Sequence, residues 1–255
     1  MDLDVSVRDG ALWLTMNDPA TFNAMSGEMC LGIAEHLRDA AARDDVRVAV
    51  LTGTGAAFST GADISGHNAI DRFDVRAMDA ANALIRSIVE CPKPVVAAVN
   101  GIAAGVSCSA ALASDLIVAK ESAAFLLAFA RIGFMPDGGA SATVAAAIGR
   151  PRAMRMGLLA EPLSAQEAFD YGLITHVAPD DEFDELVAKL VRRLSMGAPL
   201  AQTATKRAIN AAAFSELEGA LERERTGQAL LMTTADAREG MNAFNERRKP
   251  AFRGE

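Results

Sequence analysis

Cysteine, histidine and positive charge are all scarce in this 255-residue chain, and each shortage excludes something. The cysteines, Cys30, Cys91 and Cys108, are odd in number and widely spaced, which gives neither a disulfide framework nor a CxxC metal knuckle and fits a reducing cytoplasm. The histidines, His36, His67 and His176, lie far apart and outside any HExxH motif or Cys/His cluster, so no metal site is expected. With 25 Lys and Arg against 33 Asp and Glu, the net charge is -8 and the pI near 5.0. That is the wrong sign for a face that neutralises phosphates, and it excludes nucleic acid as a general partner. Long apolar runs are missing too: "AAGVSCSAALA" is far short of the roughly 20 residues that span a bilayer. The opening "MDLDVSVRDG" is acidic where a targeting peptide would be basic. A cytoplasmic protein without a membrane segment is expected.

What is present is an ordinary globular composition, 51% hydrophobic and 23% charged, with enough chain to bury a sizeable core. Strand-like and helix-like stretches alternate. "ALWLTM" (11 to 16) and "VRVAVLTG" (46 to 53) read as strands, and between them Met29, Ile33, Leu37 and Ala40 recur at helical spacing behind a Ser26 cap. A second round has a helix near 74 to 90 and then "KPVVAAVNG", whose small and β-branched residues predict a strand buried on both faces. "SDLIVAK" and "AAFLLAF" begin a third. Such alternation predicts an α/β unit with mostly parallel pairing over 1–197, followed by a charged helical region over 198–255.

Several catalytic motifs fail on spacing. In "GVSCS" (105 to 109) Ser109 occupies the second glycine position of the G-x-S-x-G nucleophile elbow, and "GTGAAFSTGAD" from Gly53 has neither G-x-G-x-x-G spacing nor a GK[ST] ending. Two glycine-rich turns stand out instead, "TGTGAAFSTGADI" and "VNGIAAGVSCSAAL", each following a strand. Singly, each is explained by the freedom of glycine at a strand end. Together, at the ends of neighbouring parallel strands, they can aim two backbone N–H groups at one point, which is an oxyanion hole.

With these turns in view, the sequence resembles the crotonase (enoyl-CoA hydratase/isomerase) superfamily over nearly its whole length. The carrying stretches are "NDPATFNAM" (17 to 25), "AFSTGADI" (57 to 64), "KPVVAAVNGIAAG" (93 to 105), "SDLIVAKESAAF" (114 to 125), "RIGFMPDGGAS" (131 to 141), "LSAQEAFDYGLITHV" (163 to 177) and "RRKPAF" (247 to 252). The resemblance implies a spiral of ββα units and a C-terminal helical region that mediates trimer formation, usually in a hexamer of two trimers. It also implies an acyl-CoA thioester as ligand, with coenzyme A present only as part of the substrate and no separate cofactor.

The resemblance further implies oxyanion donors at the backbone N–H groups of Ala62, after Gly61, and Val106, after Gly105. Val106 departs from the glycine usual there. Contacts to the acyl-CoA are implied around Phe22, Ala57, Ser59 and Ile64, and contacts to its phosphates and adenine by the basic C-terminal stretch, through Phe244 and Arg247. The pocket's variable walls are expected to include residues 66 to 80.

Family hydratases hold the added water with two glutamates; the matching places here are Ser109 and Phe129. A serine is not a useful base near neutral pH and a phenylalanine can neither bind nor activate water. In pattern the chain is closest to the isomerase branch, in which one acid at the position of Asp137 shuttles a proton. Phe129, Phe134 and Met135 would surround it with apolar groups and raise its pKa. The other reading is that "PDGGASATVAAA" is a helix start with Asp137 as its cap, which would lower that pKa. Asp63 reads as a structural hydrogen-bonder and Glu161 as a turn or cap residue. The function expected is double-bond isomerisation of an enoyl-CoA in lipid or ring-cleavage catabolism; the alternatives are an enoyl-CoA hydratase (a lyase) and a non-catalytic acyl-CoA binder.

Overall fold

The structure, a computed structural model, describes residues 2–66, 70 and 74–255. His67 and the greater part of the expected variable wall before residue 74 lie outside the described residues.

Three consecutive strand pairs set the architecture: β3 (Val48–Gly53) with β4 (Ala57–Ser59), β5 (Val95–Val99) with β6 (Ile102–Ala104), and β7 (Leu116–Lys120) with β8 (Ala124–Leu126). The first member of each pair joins a six-stranded sheet and the second a four-stranded sheet. Helices close the repeats: α1 (Gly27–Ala40) precedes the first pair, α2 (Val75–Glu90) follows it, α3 (Val106–Leu112) follows the second and α4 (Ala140–Leu159) the third. Because β3, β5 and β7 are parallel neighbours in one sheet, and β4, β6 and β8 in the other, the chain advances as a spiral of ββα units.

The large sheet is completed by β1 (Leu3–Arg8), β2 (Ala11–Met16) and β10 (His176–Ala178) in the order β1-β2-β3-β5-β7-β10, with only β1 antiparallel. A short β9 (Leu163–Ser164) ends the smaller sheet. One face of the large sheet packs Val48, Val50, Val96 and Val118 against Phe183, Val187 and Val191 of α6 (Phe183–Ser195). The other face joins the main core beneath α1 and α2. Every residue of β5 is buried, as the run of small and β-branched residues requires.

Ser26 caps α1, accepting from the Met29 N–H at 3.1 Å, and Met29, Ile33, Leu37 and Ala40 are buried as their spacing predicts. Two buried or half-buried amides stitch adjacent coils together. Asn23 Nδ2 donates to the carbonyls of Thr54 and Ala57, while Asn100 Nδ2 donates to those of Gly55 and Ala57.

After α5 (Ala165–Asp170) and α6, the chain is helical through α7 (Pro199–Ala213), α8 (Leu217–Leu231) and α9 (Ala235–Asn245). These helices fold back onto the α/β part. Lys206 of α7 is buried, with Nζ 2.8 Å from Asp115 and donating to the Ile88 carbonyl. α8 packs against α2 and α4, and α9 lies against the 3-10 turn Ala128–Ile132.

Candidate active site

The two glycine turns meet. A Cβ built on Gly61 (φ +84°) would stand 2.5 Å from the Ala104 carbonyl oxygen, and one built on Gly105 (φ +57°) would stand 3.7 Å from Gly61 Cα and 4.0 Å from Phe129 Cζ. At Gly61 the close approach and the left-handed backbone both require glycine, and at Gly105 the positive φ favours it.

Beyond Gly61, Ala62 forms a parallel bridge with Met25. The Met25 N–H donates to Gly61 O at 2.7 Å and the Asp63 N–H to Met25 O at 3.4 Å. That pattern turns the N–H of Ala62, the residue between, away from Met25. Val106 is the first residue of α3, where an N–H has no acceptor within the helix. Neither N–H meets a hydrogen-bond acceptor among the described residues. Two unspent donors therefore flank the junction of the turns, with the ring of Phe129 beside it.

Asp137 lies in the next turn, between Pro136 and two glycines of positive φ. The residue is 5% exposed. Oδ2 accepts from Gln228 Nε2 at 3.1 Å, and Oδ1 is buried with no partner among the described residues. Burial pushes the carboxyl from its usual 3.8 up to about 7; the Gln228 hydrogen bond opposes this and the charge of Glu224 adds to it. The Cys30 thiol of α1, pushed up to about 12 by burial and by the charge of Asp137, is neutral.

The helix-cap reading of Asp137 does not hold. The N-cap of α4 is Gly139, and Asp137 accepts no backbone N–H through its side chain. The carboxylate at that helix end belongs to Glu224 of α8, which accepts from the N–H groups of Gly139 (2.6 Å) and Ser141 (2.9 Å). With the anion preferred at a helix N-terminus already supplied, the site has no need of Asp137 there.

Ser109 is fully buried, and its hydroxyl proton goes to the Asp137 main-chain carbonyl at 2.7 Å. Phe129 is buried in its 3-10 turn. The remaining expected contacts divide. Ser59 is buried and spends its polar atoms internally, Oγ accepting from Gly61 N and its carbonyl from Ser107 Oγ. The Ala57 carbonyl is taken by Asn23 and Asn100. Phe22 is exposed in a left-handed conformation, its carbonyl accepting from Thr60 N.

Ile64 is drawn to the C-terminal end within the same chain. Asn245 Nδ2 donates to Ile64 O, and Asn245 Oδ1 accepts from Gly66 N, both at 3.0 Å. Phe244 and Arg247 flank this clasp and are exposed. Arg248 beside them is spent on Glu239 and Glu246. Asp63 accepts from Ser65, and Glu161 pairs with Arg155, so both are occupied structurally. Surface concavities lined by Arg152, Met156 and Tyr171, and by Glu121, Phe169 and His176, contain none of the site residues.

Glu224, Gln228, Cys30 and Asn245 were not anticipated from the sequence. Glu224 and Gln228 do carry a signal: they fall on the stripe of α8 that buries Leu217, Ala220 and Leu221, where polar residues are costly unless they have partners.

A spiral of ββα units with abutting glycine turns defines the crotonase class, and comparison with known proteins agrees. Residues 7–255 match the family model of enoyl-CoA hydratase/isomerase, and the chain belongs to that family. It is 35% identical to the 1,2-epoxyphenylacetyl-CoA isomerase of Escherichia coli K12, over 97% of each chain. It is 38% identical to a probable enoyl-CoA hydratase of Rhodobacter capsulatus, over 97% of this chain and 96% of that one. Among solved structures, an enoyl-CoA hydratase from Mycobacterium avium subsp. paratuberculosis K-10 superposes with a TM-score of 0.93 at 46% identity, over 99% of both chains.

Proposed function

We propose that the protein shifts a double bond in an enoyl-CoA thioester, with Asp137 carrying the proton. The observation that supports this reading is the buried carboxyl with one unpartnered oxygen and a pKa near 7, at a site where Ser109 and Phe129 stand in the places of the water-activating glutamates. A base with a pKa near the working pH combines a usable ionised fraction with a strong drive to take the proton.

Asp137 Oδ1 removes a proton from carbon α of a 3-enoyl thioester, or from carbon γ of a 2-enoyl thioester in the reverse direction. The C–H electrons move into the π system and negative charge collects on the thioester oxygen, where the N–H groups of Ala62 and Val106 receive it. The protonated carboxyl then returns the proton at the other end of the dienolate. The product is an isomer, and no water or redox partner is consumed. One oxyanion donor is worth about 10²–10³ in rate.

Contacts from Phe22, Ile64, Phe244 and Arg247 to the CoA portion belong to this reading, as does assembly into a trimer or a pair of trimers. Leu158, Leu159, Leu200, Ile209 and Leu230 are exposed apolar side chains that a second copy would cover.

The test is an assay of 3-enoyl-CoA and 2-enoyl-CoA with wild type and Asp137→Asn. Isomerisation by wild type that drops about 10³-fold or more in Asp137→Asn is expected, near the middle of the range for a positioned acid–base group. Isomerisation that survives the substitution sinks the base assignment, and efficient hydration by wild type sinks the isomerase reading.

A further inference from the structure

The turn that carries Asp137 has little regular hydrogen bonding of its own. What grips it is α8. Gln228 Nε2 donates to the Met135 carbonyl at 2.9 Å and Gln228 Oε1 accepts from the Met135 N–H at 3.3 Å; the same Nε2 reaches Asp137 Oδ2 at 3.1 Å. One helical turn earlier, Glu224 holds the N–H groups of Gly139 and Ser141. Gln228 is 2% exposed and Glu224 1%. Side chains four residues apart on one helix face thus hold the chain on both sides of Asp137.

Burying an amide and a carboxylate where leucines would pack costs desolvation, which only well-made hydrogen bonds offset. Leucines at both places would pack α8 equally well, yet would leave Asp137 unoriented. Nε2 can donate but not accept, so Oδ2 is fixed as an acceptor and an added proton is directed to Oδ1.

We propose that Glu224 and Gln228 are positioning residues that hold the Met135–Ser141 turn so that Oδ1 of Asp137, and not Oδ2, exchanges the proton with substrate. The inference rests on the isomerase reading above. The two residues also act oppositely on the base: the Gln228 donor favours the carboxylate and the Glu224 charge disfavours it. The titratable groups coupled to Asp137 are Cys30 of α1, neutral throughout the working range, and Glu224 of α8, itself raised by burial.

The experiment compares wild type, Gln228→Leu, Gln228→Glu and Glu224→Gln in isomerisation of 3-enoyl-CoA from pH 5 to 9, with thermal melts over the same range. Loss of the Gln228 donor should lower kcat about 10-fold or more, as expected for a hydrogen bond to a charged group, with KM within about two-fold. The ascending limb of kcat should move to higher pH in both Gln228 variants and to lower pH in Glu224→Gln.

Gln228→Glu keeps the size and shape of the side chain, so it reports even where Gln228→Leu fails to fold. Limbs that stay at the wild-type pH, with only the melting temperature lowered, overturn the proposal. The melts give a readout without substrate: the pH at which Asp137 ionises in the folded protein should shift with the same signs. Asp137→Asn run alongside separates the claims. Activity surviving in it defeats the base assignment, whereas an inactive Asp137→Asn beside unshifted Gln228 variants defeats the positioning claim alone.

Discussion

Ser109 Oγ donates to the main-chain carbonyl of Asp137 across 2.7 Å, so Ser109 supports the turn that carries the buried carboxyl. The contact is tight. A Cβ added at Gly138 would lie 2.8 Å from Ser109 Cβ, which leaves no room for a longer side chain between them.

Ser109→Ala should therefore lower stability by about 1 kcal/mol, the usual worth of one such hydrogen bond, and reduce kcat by misplacing Asp137. Ser109→Glu should destabilise the fold by more than that and fail to install hydration, because its carboxylate would have to displace the turn. Chemical denaturation and a hydration assay check both. A stable, hydrating Ser109→Glu protein would show that the turn yields easily.

The raised pKa of Asp137 has a thermodynamic consequence independent of any substrate. Well below pH 3.8 the carboxyl is protonated in both folded and unfolded chains. As pH climbs from its usual 3.8 towards 7 the unfolded chain ionises first, and the folded state loses relative stability until the buried group ionises as well. Wild type should thus carry a penalty of up to about 4 kcal/mol at pH 8 that has shrunk to a small fraction of that at pH 4. Asp137→Asn removes the titration. Its melting temperature relative to wild type should rise between pH 4 and pH 8; a constant difference would mean that Asp137 ionises at its ordinary pH.

Much of the frame was legible because it rests on local pattern. Ser26 ahead of the Met29, Ile33, Leu37, Ala40 stripe gave α1 with its cap, and "KPVVAAVNG" gave β5 buried on both faces. β1 was not legible: its valines, Val5 and Val7, are largely exposed at the sheet edge, so Leu3–Arg8 lacks a buried alternation to announce it.

At the site, the sequence singled out Asp137 but left base and cap open, because a helix start and an acid beside it look the same whichever residue does the capping. What rules out the cap came from Glu224, 87 positions away along the chain and brought in by α8. Side chains that cross between distant elements leave no periodic trace; only the misplaced polarity of Glu224 and Gln228 on a buried stripe hints at them.

Asn245 supplies the last expectation. Its amide makes both hydrogen bonds that tie the end of α9 to the Ile64–Gly66 segment, two residues beyond the Ala62 donor and adjacent to the exposed Phe244. None of its contacts reaches Asp137, Val106 or Ser109. On the reading proposed above, Asn245→Ala should act on the grip of the CoA portion more than on proton transfer. Two exposed hydrogen bonds of about 0.5–1 kcal/mol each correspond to a KM raised roughly 5- to 30-fold, with kcat within about two-fold. Steady-state kinetics with the favoured enoyl-CoA isomer measures the split. A fall in kcat at unchanged KM would instead mean that the clasp sets the direction of the Ala62 N–H, and would move Asn245 from holding the ligand to shaping the oxyanion site.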